Sequence, residues 1–386
     1  MTAQASGLRG VVVGESEISD VQPEGNLYYR GYNIHDLADH ATFEEVVYLL
    51  WKGDLPNRAE LDRFRSELAA NCTLPDEVLA LLRGFPKKAA AMDALRTGMS
   101  ALGMVDPDAG DNSEPANQRK ALRMQARIGT MVAAIERLSQ GQEPVPPRSD
   151  LNLASGFLYM LTGKEPDPLT ARTMDIDFIL HADHELNAST FAARVTVATL
   201  ADMYSGEVSA IGTLSGPRHG GAAEEVMEML LKIGGPEGVD AYVRPQLTGE
   251  TRGRIPGFGH PVYRAPDPRA MHLREMSRQL GTLHNDLKWF QTTTAIEKLV
   301  DELSNTPERL AAGRPGVYAN VDCFSASCYY EMSLPIHLYT PIFAISRTSG
   351  WCAHMLEQYK PGQRIIRPRA EYVGPRDLPW KPIEQR

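Results

Sequence analysis

The chain has 386 residues, enough for two domains or one large one with an ample core. Its formal charge of −9 carries no basic surplus of the kind a nucleic-acid binder needs, so an anionic ligand must be drawn by local arginines. Four cysteines, Cys72, Cys323, Cys328 and Cys352, form no Cys-x-x-Cys pair, which argues against a zinc ribbon or a disulfide framework and fits a reducing compartment.

Met1 to Gly10 lacks the apolar h-region of a signal peptide, and no run approaches the ~20 apolar residues of a membrane span, so a cytoplasmic protein is expected. Val11-Val12-Val13-Gly14 predicts a small strand, followed by a polar, turn-rich stretch to Gly31. Helix signals then dominate. Thr42 and Glu45 form a capping box ahead of Val46, Val47, Leu49 and Leu50, with Gly53 at the C-cap position. Asn57 with Glu60 repeats the device before Leu61, Phe64 and Leu68, and Asp76 to Leu82 reads as a short helix. Asp106, Asp108 and Asp111 resemble the start of a calcium loop, but position five is Gly110 and no glutamate closes the series, so Asp106 to Asn117 reads as a solvated loop. Met124, Ile128, Met131, Val132, Ile135 and Leu138 mark an amphipathic helix, which the Pro/Gly-rich stretch Gln140 to Arg148 ends. Few segments after Gly14 alternate with period two. The expected fold is therefore all-α, with at most a few short N-terminal strands.

Several clusters could carry chemistry. Met174, Phe178, His181 and Glu185 share one helical face, with His184 at the helix end; their order matches no zinc-protease motif, and a histidine there also suits the helix dipole. Leu214 to Glu225 is a glycine-rich turn running into a helix, which puts His219 near a helix N-terminus. The positive dipole end lowers its pKa, and a neutral imidazole can donate to a carbonyl that is gaining charge; a purely capping histidine is the alternative. In Gly257 to Arg269, Gly257 and Gly259 let a ligand approach the backbone, Asp267 and Pro268 suit a helix start, and Arg269 falls in the first turn with its guanidinium free to point back toward the loop. His260, Arg264 and Arg269 together suit a small polycarboxylate. Asp322 is the one acid between Val317 and Tyr330, so it is either a general base with a raised pKa or a cap for the Phe324–Met332 segment. Arg347 lies in a helix opening at Thr340-Pro341 whose apolar side is Ile342, Ile345, Cys352 and Leu356, and a buried guanidinium needs a partner. Arg364, Arg367 and Arg369 form a basic tail.

The Gly-aromatic-Gly-His loop at 257–260, the arginine four residues on, Asp267-Pro268-Arg269, Asn320-Val321-Asp322 and Ser215 to Ala222 resemble the citrate synthase family, from about Gly7 to the C-terminus. That resemblance implies a mostly helical homodimer, with a large domain at 1–217 and 319–386 and a small domain at 218–318 that closes on it. It implies condensation of acetyl-CoA with oxaloacetate to citrate and CoA, without a metal or further cofactor. Asp322 would take the methyl proton, His219 would donate to the thioester oxygen, and His260 would polarise the ketone. His184, Arg269, Arg347 and Arg367 would bind the dicarboxylate, Arg367 reaching across from the partner subunit. Gly253, Arg254, Ile255, Pro256, Gly257 and Arg264 would meet CoA, and Ser189 would position His219. One departure is Ala223, where the family commonly has asparagine. Two alternatives remain in view: 2-methylcitrate synthesis from propanoyl-CoA, and a metalloenzyme using His219, His260 and Asp322 as a two-His-one-carboxylate set.

Overall fold

The computed structural model describes Leu8 and residues 11–249, 254–313 and 315–386. Among them, seventeen α-helices accompany one three-stranded antiparallel sheet near the N-terminus. Its strands, Ser19–Gln22, Asn26–Tyr29 and Tyr32–Asn33, lie in the stretch read as turn-rich. Val11-Val12-Val13-Gly14, expected to be a strand, joins no ladder, and its valines are exposed. Strands of two to four residues are too short for alternation to declare itself. What holds them is the burial of Val21, Leu27 and Tyr29.

Where a helix start is a local event, it forms as expected. Thr42 with Glu45 opens Phe43–Lys52, Asn57 with Glu60 opens Arg58–Asn71, and Gly53 closes the first of these at φ 96°. Each box satisfies two otherwise orphaned N–H groups. Asp76–Arg83 is likewise helical. Two expectations fail for tertiary reasons. The helix read at Met124 to Leu138 runs from Glu114 to Ser139 and is buried on most sides. The acidic stretch before it is a solvated loop only in part, because Asp106 is buried. Asp106 is buried against Arg123, at 2.6 and 2.7 Å, and receives the Tyr204 hydroxyl at 2.5 Å, while Arg119 and Arg123 share Asp108. Burying a carboxylate requires such partners, and they come from other helices.

The helix Tyr339–Gln358 passes through the core, with only Phe343 and Leu356 less than buried, so the one-sided apolar face expected for it gives way to burial all round. Most of its polar side chains are bonded, among them Ser346 to Phe178 O, Thr348 to Glu207, Trp351 to Ser189, and His354 to Asp183. Gly350 allows the close approach. Its N–H donates to Ala182 O at 3.1 Å, and a Cβ there would collide with that carbonyl. The end of helix Pro168–His181 is thereby held against Arg347. On another side, helix Val321–Glu331 packs against Ala222–Ile233, Ala270–Leu283 and Lys288–Ser304.

Candidate active site

Four connections converge on one cleft. The helix Pro168–His181 ends at His181, so His184 sits in the loop that follows, and Glu185 lies outside the helical face assigned to it, at φ 55°. The N-terminal sheet fixes this loop. Tyr29 Oη donates to Asp183 O at 2.9 Å, and Ser19 Oγ donates to the Asp183 carboxylate at 2.5 Å. His354 reaches the same carboxylate from the Arg347 helix at 3.2 Å. The Pro23 carbonyl, in the turn of the sheet, accepts Arg264 N–H at 2.8 Å, so the sheet also steadies the His260 loop.

The His260 loop is zipped to the segment that leads to Asp322. Gly259 N–H donates to Tyr318 O, Asn320 N–H to Gly257 O, and Asn320 Nδ2 to Gly259 O, at 2.8 to 3.0 Å. Gly257 is required here: φ is +79°, and a Cβ would press on Val226 and Cys323. Asn320, not Asp322, caps helix Val321–Glu331, which frees the Asp322 carboxylate. Among the described residues no donor reaches that carboxylate. Burial raises its pKa, opposed by the charges of His181, Arg269 and Arg347.

The buried floor holds two arginines. Arg269 is the N-cap of the helix Ala270–Leu283, which starts two residues later than the sequence suggests, and its guanidinium points back to the loop, where Asp267 takes it in a fork at 2.9 and 2.7 Å. Burial would raise the Asp267 carboxyl, but Arg269 and the hydrogen bonds it brings hold it below the usual range. Arg347 Nε donates to His181 O at 2.6 Å, and its guanidinium lies over the Phe343 ring at 4.5 Å. Its two terminal nitrogens have no acceptor among the described residues. Burial pushes it down to about 10, so it remains charged at neutral pH. His184 is buried, 3.2 Å from the Tyr263 hydroxyl and edge-on to His260 at 5.1 Å. Burial, then the charges of Arg269, His260 and Arg347, lowers its pKa well below the usual value and keeps it neutral.

The two catalytic candidates among the histidines are half-buried and have defined tautomers. His260 Nδ1 accepts the Val262 and Tyr263 N–H groups at 3.1 and 3.0 Å, so its proton sits on Nε2. His219 lies in the turn between helices Met203–Leu214 and Ala222–Ile233. Its Nε2 faces the Ser189 N–H at 3.3 Å and Oγ at 2.8 Å. A backbone amide only donates, so this N–H, shared with Asn187 Oδ1 at 3.1 Å, favours Nε2 as the acceptor and the proton on Nδ1. Burial pushes both imidazoles down to about 4, helped by Arg347 at His219 and by Arg269 at His260. Ala223 is buried in the first turn of its helix and gives the His219 turn no polar side-chain atom.

The remaining expected residues sit less centrally. Ile255 and Gly257 are buried and Pro256 half-buried beside the loop; Gly253 lies outside the described residues. Arg254 is exposed and paired with Glu225 at 2.6 Å, and Arg264 is exposed, donating to the carbonyls of His260, Pro261 and Tyr263. Arg367 is exposed and, among the described residues, bonds to no site residue. Among the described residues, no three histidine, cysteine or acidic side chains stand close enough to hold a metal, so His219, His260 and Asp322 do not form the metal set weighed from the sequence. Sequence reasoning missed Tyr263, the Asp267 fork and Trp351. Of these, only Trp351 had a local signal, its place one turn after Arg347.

The arrangement offers one unpaired carboxylate, two neutral imidazoles each with a proton to donate, and a buried guanidinium whose terminal nitrogens have no acceptor among the described residues. A family model described as "Citrate synthase, C-terminal domain" matches residues 7–369. Over 387 residues the chain is 46% identical to "Citrate synthase 2" of Bacillus subtilis, covering 100% of both chains. It is 39% identical to a 2-methylcitrate synthase of Mycobacterium tuberculosis, covering 95% of this chain and 90% of that one. It also overlays on the citrate synthase of Thermoplasma acidophilum, solved as a ternary complex with carboxymethyl coenzyme A and oxaloacetate, with a TM-score of 0.89, 30% identity and 98% of both chains covered. Since the likeness spans the whole length in sequence and in fold, the chain belongs to the citrate synthase family.

Proposed function

We propose that the chain condenses acetyl-CoA with oxaloacetate, giving citrate and CoA. One observation carries this reading: the free guanidinium fork of Arg347 lies at the buried floor with Arg269, under two neutral imidazoles and an unpaired carboxylate. A buried cation without a full set of acceptors calls for an anionic ligand, and a planar fork suits a carboxylate.

Oxaloacetate binds with its carboxylates on Arg269 and Arg347, and neutral His184 adds a hydrogen bond. Asp322 removes a proton from the thioester methyl group. His219 Nδ1–H donates to the thioester oxygen as charge develops there. The enolate carbon attacks the ketone carbon while His260 Nε2–H hydrogen-bonds the ketone oxygen, and the resulting alkoxide ends as a hydroxyl, the proton it gains balancing the one that Asp322 took from the methyl group. Water then cleaves the citryl thioester, releasing CoA and citrate. The loop Gly253 to Gly257, with Arg254, Ile255 and Pro256, and Arg264 receive CoA; Arg254 must exchange Glu225 for it. No cofactor beyond these substrates is needed.

Residues 218–318 act as a smaller domain closing on 1–217 and 319–386, which excludes water before the enol forms. The working unit is a homodimer in the cytoplasm, each protomer's Arg367 completing the other's dicarboxylate site. The experiment is thiol release with oxaloacetate, run in parallel on acetyl-CoA and propanoyl-CoA. Turnover with acetyl-CoA at the higher kcat/KM supports the reading. A propanoyl-CoA preference replaces it with 2-methylcitrate synthesis, since one methylene is worth only ~1–3 kcal/mol of discrimination. No release with either refutes it.

A further inference from the structure

His219 stands at the end of a hydrogen-bond chain that starts in the core. Trp351 Nε1–H donates to Ser189 Oγ at 3.1 Å, and that oxygen lies 2.8 Å from His219 Nε2. Trp351 and Ser189 are both completely buried. Trp351 follows Arg347 by one helical turn within Tyr339–Gln358, so a single helix supplies both the free guanidinium of the floor and this N–H.

The Ser189 hydroxyl bears on which nitrogen of His219 holds the proton. It has one hydrogen and two acceptors in reach, His219 Nε2 and Asn187 Oδ1, each at 2.8 Å. If the hydrogen goes to His219, Nε2 is bare and Nδ1–H is available for substrate. If it goes to Asn187, Nε2 must carry a proton and point it at Oγ, next to a Ser189 N–H that can only donate. The Trp351 N–H takes one lone pair of Oγ, which polarises the hydroxyl toward donating and leaves a single lone pair for the competing tautomer. We propose that Trp351 is a positioning residue which, through Ser189, holds His219 in the Nδ1–H tautomer before substrate arrives. This rests on the reading of His219 as donor to the thioester oxygen.

The test uses the full-length protein with Trp351→Phe and with Trp351→benzothienylalanine. The latter keeps the bicyclic shape and replaces the N–H by sulfur, so it separates the hydrogen bond from packing if the phenylalanine variant folds poorly. Both should lower kcat about tenfold, the scale of one net hydrogen bond, with KM for oxaloacetate within about twofold of wild type. In a Ser189→Ala background the same change should add little further loss. Nitrogen-15 NMR of the free protein should show His219 protonated on Nδ1 in wild type and a mixture in the variants. An unaltered kcat with benzothienylalanine, an unaltered tautomer, or fully additive losses with Ser189→Ala would overturn the proposal. The NMR signal needs no turnover, so failure of the tautomer assignment is distinguishable from failure of the proposed reaction.

Discussion

Replacing Arg347 by lysine keeps a positive charge on the floor but removes two things. The Nε–H bond to His181 O is lost, and so is the free fork that faces the cleft. A charge-assisted pair of this kind contributes ~2 kcal/mol, so kcat/KM for oxaloacetate should fall roughly 30-fold at pH 7. The burial that pushes Arg347 down to about 10 also acts on its replacement. A lysine ammonium, which starts from a lower pKa than a guanidinium, should be pushed down toward neutral pH by the same burial. A cation with a lowered pKa loses its charge as pH rises through that value. The Arg347→Lys enzyme should therefore lose further activity between pH 7 and pH 9, whereas the wild type keeps its charge across that range. Thiol release at subsaturating oxaloacetate, measured from pH 6.5 to 9, reads this directly. Parallel pH profiles for the two enzymes would refute the assignment of Arg347 as a buried, unpaired anion receptor.

Asp322→Asn removes the base while preserving shape, and kcat should fall by ~10²-fold or more with little change in KM; near-normal turnover would defeat the mechanism. Because burial raises the Asp322 carboxyl, wild-type activity should drop on acidification as that group takes a proton; His219 and His260, pushed down to about 4, add no limb near pH 6.5. A limb near pH 6.5 that persists in Asp322→Glu but vanishes in His219→Gln would show a charged histidine instead. Away from the cleft, Glu207 is fully buried, receives the Thr348 hydroxyl at 2.6 Å, leaves Oε2 unpartnered, and is pushed by burial up to about 8. A carboxyl with a raised folded pKa takes up a proton on folding, so stability falls as pH rises from about 4.5 toward 8, a cost of about 3 kcal/mol at pH 7. Glu207→Gln should raise Tm at pH 7 and lose most of that gain by pH 5; calorimetry giving equal Tm values at both pH values would contradict a neutral Glu207.

The capping boxes at Thr42 and Asn57 and the C-cap Gly53 were readable because a cap is settled within four residues, and the polypeptide satisfies its own N–H groups there. The motif residues were readable for a related reason. Gly257 admits the approach of Cys323 only without a side chain, and two histidines, one aspartate and the arginine forks are the groups the chemistry needs. Tertiary structure alone decided how those groups behave. No spacing in the sequence announces that Asp267 neutralises Arg269 while Arg347 keeps its fork free, because the difference lies in which backbone carbonyl and which carboxylate end up nearby. The same is true of Asp106, which its acidic surroundings marked as solvated and which two distant side chains bury. The charge state of each imidazole was settled by burial and by its neighbours across the fold, because desolvation depends on what surrounds a group in space and not along the chain.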